Sequence, residues 1–107
     1  MNAQLRAFSD PTRMQILMLV REKELCAGDI SKHFTISRPG VSQHLKILKS
    51  ASLLKERRSG TSRFYSINPD GFQEIRKVME GFLQASDENL SYLAEEETDE
   101  LVGVGND

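Results

Sequence analysis

The run Ser37-Arg38-Pro39-Gly40-Val41-Ser42-Gln43-His44-Leu45-Lys46-Ile47-Leu48-Lys49 combines side chains suited to reading and gripping DNA. Val41, Leu45 and Leu48 fall at i, i+4 and i+7, which makes one apolar stripe on a helix. The remaining positions offer donors, acceptors and positive charge, and no carboxylate. Such a helix fits the major groove, where base edges present a donor and acceptor code. Gln43 has the geometry to pair bidentately with adenine, and Arg38 with guanine. Ser42 and His44 suit bases or phosphates, Lys46 and Lys49 suit phosphates, and Ser37 at the helix start is a further candidate DNA contact. Lys32 before this run, and Arg57, Arg58, Thr61 and Arg63 after it, add further donors. Phosphate contacts set affinity and register, while groove contacts set sequence choice.

The charge distribution supports a polyanionic partner. The net charge of −2 hides a division along the chain. Residues 1–66 carry 12 Lys or Arg against 5 Asp or Glu, and residues 67–107 carry 2 against 11. Between Ile30 and Ser66 the only acid is Glu56, among eight basic residues. The local field, not the total, is what a phosphate backbone meets. No catalytic constellation accompanies it: there is no Ser-His-Asp arrangement, no carboxylate pair, no P-loop and no dinucleotide fingerprint. The chain therefore reads as a binding protein and not as an enzyme. Gly103-Val104-Gly105 lacks a preceding strand and a following helix, so it carries no phosphate-binding meaning.

Around the central run the elements follow in order. Residues 2–8 predict a short first helix, with Leu5 and Phe8 apolar. Ser9-Asp10-Pro11 restarts the chain, with Asp10 as cap and Pro11 at the first helical position. A second helix from Pro11 to Glu22 is apolar around much of its circumference and is expected at the core. Glu24-Leu25 reads as a link to a third helix over Ala27 to Phe34, in which Ile30 and Phe34 share a face. Thr35-Ile36 makes a turn, Ser37 caps the fourth helix, and helix, turn, helix is a DNA-binding layout. The period then changes: Leu53 to Arg57 and Arg63 to Ile67 predict a β-hairpin whose tip is Arg58-Ser59-Gly60-Thr61-Ser62. Asn68 caps and Pro69 opens the last helix.

At 107 residues one domain is expected, spanning residues 1–94, followed by an acidic, disordered tail over 95–107. The fold class is mainly α with a small β-hairpin, a winged helix-turn-helix, and dimeric. Phe72, Ile75, Met79 and Phe82 follow 3-4-3 spacing, and Leu90 and Leu93 continue that phase. This stripe, with Leu5 and Phe8, is the expected dimer surface. No apolar run approaches the ~18 residues of a membrane span, and the N-terminus lacks a secretory apolar region. With one cysteine the chain reads as cytoplasmic.

The combination of Phe8-Ser9-Asp10-Pro11-Thr12-Arg13, Ile16-Leu17, Gly28-Asp29-Ile30, Ser37 to Lys49 and Arg63-Phe64-Tyr65 resembles the ArsR/SmtB family of bacterial winged-helix repressors. Within it the likeness is greatest to SdpR-like autorepressors, which lack a metal site. The resemblance covers about residues 3–83. It implies a homodimer joined through the first and last helices, bound to an inverted-repeat operator in double-stranded DNA and released by an inducer. The family's arsenic and cadmium sensors carry a Cys-x-Cys pair where this chain has Cys26-Ala27-Gly28. One thiol does not supply the three or four donors of a soft-metal site, and the last helix contains no His. No metal site and no cofactor are therefore expected. Two rival readings remain: a metal- or thiol-responsive sensor of the same fold using Cys26, and an adaptor sequestered by a partner protein.

Overall fold

The computed structural model describes residues 2–84. Five helices and a three-stranded sheet follow in the order α1 (Ala3–Phe8), α2 (Pro11–Glu22), β1 (Leu25–Cys26), α3 (Ala27–Ser31), α4 (Arg38–Ser50), β2 (Leu54–Ser59), β3 (Ser62–Ile67) and α5 (Pro69–Gln84). The expected acidic tail, and the continuation of the α5 stripe through Leu90 and Leu93, lie outside the described residues. No described helix is long and apolar enough to cross a membrane.

Local chemistry accounts for the helix starts. Asn2 Oδ1 accepts from Leu5 N at 2.7 Å, Asp10 Oδ2 from Arg13 N at 3.0 Å, and Ser37 Oγ from Gly40 N at 3.2 Å. Each cap satisfies an amide that the helix itself leaves unpaired. The Arg13 amide, above all, holds the Asp10 carboxyl below its usual range. Asn68 Oδ1 serves Asp70 N at 3.2 Å. The end of α4 closes as a Schellman motif: Leu53 N donates to Leu48 O and Ser52 N to Lys49 O, both at 3.0 Å. Ser52 takes the left-handed φ of 61° that this motif requires.

Two expectations change. Leu25 and Cys26 are not a bare link but strand β1, paired antiparallel with Tyr65 and Phe64, so the sheet order is β1-β3-β2. Two residues are too few to display strand alternation in a sequence. The third helix ends at Ser31 and not at Phe34. His33 N and Phe34 N turn back to Ile30 O and Ser31 O at 3.1 Å each, which tightens the chain and tucks Phe34 against the core.

The core is built where these elements meet. Ile16, Leu17 and Val20 of α2, Ile30 of α3, and Val41, Leu45 and Leu48 of α4 are buried together with Leu53, Leu54 and Tyr65. The other side of α2 is not covered: Met14 and Met18 are 37% and 57% exposed. Gly71 opens α5 against the Ser52 backbone, and a Cβ there runs into the Ser52 carbonyl oxygen. The contact is backbone to backbone, so nothing flexible yields. Gly71→Ala should destabilise the fold by about 1–3 kcal/mol, measured by urea unfolding. A loss below roughly 0.5 kcal/mol would show that α5 can shift freely.

Candidate nucleic-acid interface

The buried stripe of α4 leaves Ser42, Gln43, Lys46, Lys49 and Ser50 exposed on its opposite and flanking sides. Ser37 spends its hydroxyl on the helix cap. Arg38 is exposed, and its guanidinium runs back toward α3: a Cβ built on Gly28 would stand 3.8 Å from Arg38 Nη2. His44 is half-buried, and its Nδ1 lies 3.3 Å from Arg13 Nη1.

The wing is sorted by strand alternation. Gly60 supplies the left-handed φ of 62° at its tip, and Ser59 pairs with Ser62 across the turn. Along β2 and β3 the pairs Leu54↔Ile67, Glu56↔Tyr65 and Arg58↔Arg63 share one face, since side chains alternate with period two. That face looks toward α4, because Glu56 Oε1 accepts from Lys49 Nζ at 3.1 Å. Arg58 and Arg63 therefore stand opposite each other on the same side as the exposed helix. Like charges in that position repel. The Glu56 carboxylate offsets this for Arg63, whose Nη1 is 3.8 Å from Glu56 Oε2.

Arg57 belongs to the opposite face. It sits 4.8 Å over the Phe64 ring and donates through Nε and Nη2 to the Glu24 carboxylate, the shortest contact being 2.6 Å. This pairing holds Glu24 below its ordinary range and Arg57 above its own. The structure thus separates Arg57 from Arg58, which the sequence places side by side. Lys32 pairs with Asp29 at 3.5 Å. Among the described residues, Arg38, Lys46 and Arg58 have no hydrogen-bond or ion-pair partner, and Thr61 is exposed at the tip.

Several contributors escaped the sequence reading. Glu56 is the foremost, and its one signal is that it is the sole acid in a basic span. The Tyr65 hydroxyl donates to Glu56 Oε2 at 2.9 Å. That bond leads in holding Glu56 below the usual carboxylate range, with Lys49 and Arg63 acting in the same direction. Burial, then the Glu56 carboxylate, pushes the Tyr65 phenol up. Cys26 Sγ accepts from Asp29 N at 3.4 Å and so caps α3. Among the described residues no group of three or more His, Cys, Asp or Glu side chains converges to hold a metal.

The expected dimer residues divide. Phe72 and Ile75 pack partly against the core, and Phe8 meets Phe72 edge-on at 6.1 Å. Leu5 is half-buried. Met79 and Phe82 remain 51% and 54% exposed, and Leu83, which the spacing did not include, is 83% exposed. Phe8, Met14, Leu17, Met18, Ile67 and Phe72 also line an apolar groove of ≈400 Å³.

Comparison with known proteins agrees with this geometry. Residues 10–56, from the α2 cap into the wing, match the family described as "Bacterial regulatory protein, arsR family". The chain is 41% identical over 90 residues to the transcriptional repressor SdpR of Bacillus subtilis, covering 84% of this chain and all of that one. It is 34% identical over 87 residues to the arsenical resistance operon repressor of Staphylococcus xylosus, covering 81% and 83%. A solved structure titled as a possible transcriptional regulator for arsenical resistance aligns with a TM-score of 0.73 at 30% identity, covering 89% and 97%.

Glu56 gives this site a pH signature. A carboxyl held low in the folded state stabilises it above the unfolded pKa, and that stability is lost as pH falls through the folded value. Wild-type protein should lose stability as pH drops below about 4.3. Glu56→Gln should lose less over the same acid window in urea unfolding. Parallel curves would remove Glu56 as a source of acid sensitivity.

Proposed function

The chain belongs to the arsR family of bacterial regulatory proteins and is a DNA-binding transcriptional regulator; from that premise we propose that it represses transcription as a homodimer seated on an inverted-repeat operator. One observation carries the reading: the carboxylate-free face of α4 and the paired Arg58 and Arg63 of the wing point to the same side. Two α4 helices would enter successive major grooves ~34 Å apart. Gln43 and Ser42 read base edges, joined by Arg38 as it swings from α3. Lys46, Arg58, Arg63 and Thr61 hold the backbone or the adjacent minor groove.

Lys32, Lys49 and Arg57 play a smaller part in this scheme. Each already holds a carboxylate within 3.5 Å, closer than the 3.8 Å between Arg63 and Glu56. A phosphate there exchanges one ion pair for another, so the gain is smaller than at a free cation. The apolar surfaces supply the second copy. Met79, Phe82 and Leu83 are too exposed to serve the chain's own core, and large exposed apolar patches mark association sites. Repression follows the names of the relatives, SdpR among them. A metal plays no part in this reading, because the single thiol is a helix cap and Gly28 stands at the second thiol position of the family's sensors.

Two measurements test it. Gln43→Ala should reduce discrimination between operator and random DNA by about 1–3 kcal/mol. Arg58→Ala should weaken both alike and lower the salt slope by about one. Identical profiles for the two variants would abolish the division of labour between helix and wing. Phe82→Glu should sediment as a monomer at concentrations where wild type is a dimer. A dimer that survives the buried charge would place the interface elsewhere.

A further inference from the structure

Arg13 spends every guanidinium nitrogen on a neighbour. Its Nε donates to Ala7 O at 2.6 Å, and its Nη2 approaches Arg6 O at 3.5 Å; both carbonyls lie at the C-terminal end of α1. Its Nη1 faces His44 Nδ1 at 3.3 Å, on the far side from α1. Arginine has no acceptor, so His44 takes part as the acceptor, with its own proton on Nε2. A residue of α2 thus grips the end of one helix and the middle of another.

A second tie stands at the other end of the same pair: Gln4 Nε2 donates to Ala51 O at 3.2 Å, just past α4. Between the ties an open cleft of ≈440 Å³ lies at the surface, lined by Ala3, Arg6 and Ala7 on one side and Gln43, Lys46 and Ile47 on the other. Beside it Ala7 of α1 is buried in the same core cluster as Leu48 and Ala51, a small apolar contact. Sliding or tilting of α4 against α1 is therefore resisted by this small apolar contact and by the two hydrogen-bonded ties.

We propose that the Arg13–His44 contact sets the angle of the reading helix against the dimer-facing helix, and so sets the half-site spacing the protein accepts. The proposal rests on the homodimer reading above. In a dimer the distance between two α4 helices is determined by the rigid path from the dimer axis through α1 to each α4. Loosening one link of that path widens the range of separations without removing a single base contact. Arg13 and His44 are positioning residues here: they act through Gln43 and its neighbours and not on DNA.

Selection from a synthetic duplex pool tests this. Each duplex carries two random half-sites in inverted orientation, separated by spacers of varied length. Wild type should enrich one spacing. His44→Phe fills the space and cannot accept a hydrogen bond. It should enrich spacers one base pair longer and shorter to within about threefold of the favoured one. His44→Asn puts Oδ1 near the place of Nδ1 and should restore the sharp preference. Arg13→Lys keeps the charge but loses the fork, and should behave as His44→Phe; it carries the comparison alone if circular dichroism finds the Phe variant unfolded. A purely structural loss would lower the melting temperature and leave the spacing preference sharp. The proposal is overturned if the folded variants keep the single wild-type spacing. If wild type itself enriches no inverted pair, the homodimer reading fails instead.

Discussion

The carboxylate of Glu56 receives the Lys49 ammonium from α4, the Tyr65 hydroxyl from the neighbouring strand and the Arg63 guanidinium from the wing. The rest of the interface depends on that convergence. A long β-hairpin held only by its own ladder swings relative to the domain. One acid shared between helix and wing restrains that swing. The surface pair alone contributes little, about 0–1 kcal/mol. The half-buried bond to Tyr65 adds more, because its loss strands a polar group in the core edge. Glu56 also lowers the repulsion that accumulates when a phosphate-binding surface concentrates cations in one place.

The same economy governs the remaining charges. Arg57 and Glu24 neutralise each other on the back of the sheet, with the guanidinium resting on Phe64. That pair clamps β2 to the chain just before β1 and so ties the wing root to the helical body. Lys32 and Asp29 pair across the last turn of α3. Among the described cations that make no hydrogen bond or ion pair, Arg38, Lys46 and Arg58 belong to the reading helix and the wing, while Lys23 and Lys55 lie at the end of α2 and the base of β2. The positive field is thus concentrated where a phosphate backbone would lie, although the whole chain is slightly acidic.

Much of this was legible in the residues alone. The α4 boundaries, its buried stripe and its Ser37 cap follow from spacing and cap chemistry, which are local and so survive folding unchanged. The same holds for Asp10-Pro11, Asn68-Pro69 and the Gly60 turn. Strand β1 was hidden, because two residues cannot show a period and Leu25–Cys26 becomes a strand only when β3 lies beside it. Phe34 was read into a helix because its spacing from Ile30 suits one, whereas the chain reaches the same burial by a tight turn. Helix α2 read as a core helix around much of its circumference, yet Met14 and Met18 stay exposed on one side. Nothing in their spacing reveals that the domain has too few elements to cover both sides of α2.

Composition, period and capping therefore established most of the element types and the basic reading helix, since each depends on residues within a turn or two of one another. Partnership among distant side chains was settled only by folding. Adjacent arginines 57 and 58 are equivalent in a string, and a strand sends them to opposite faces. His44 lies among DNA-reading residues in the string, and packing brings it to Arg13, 31 positions away. The cause in both cases is that side-chain direction is set by the backbone, and contacts between elements by how those elements stack; neither is encoded in nearest neighbours.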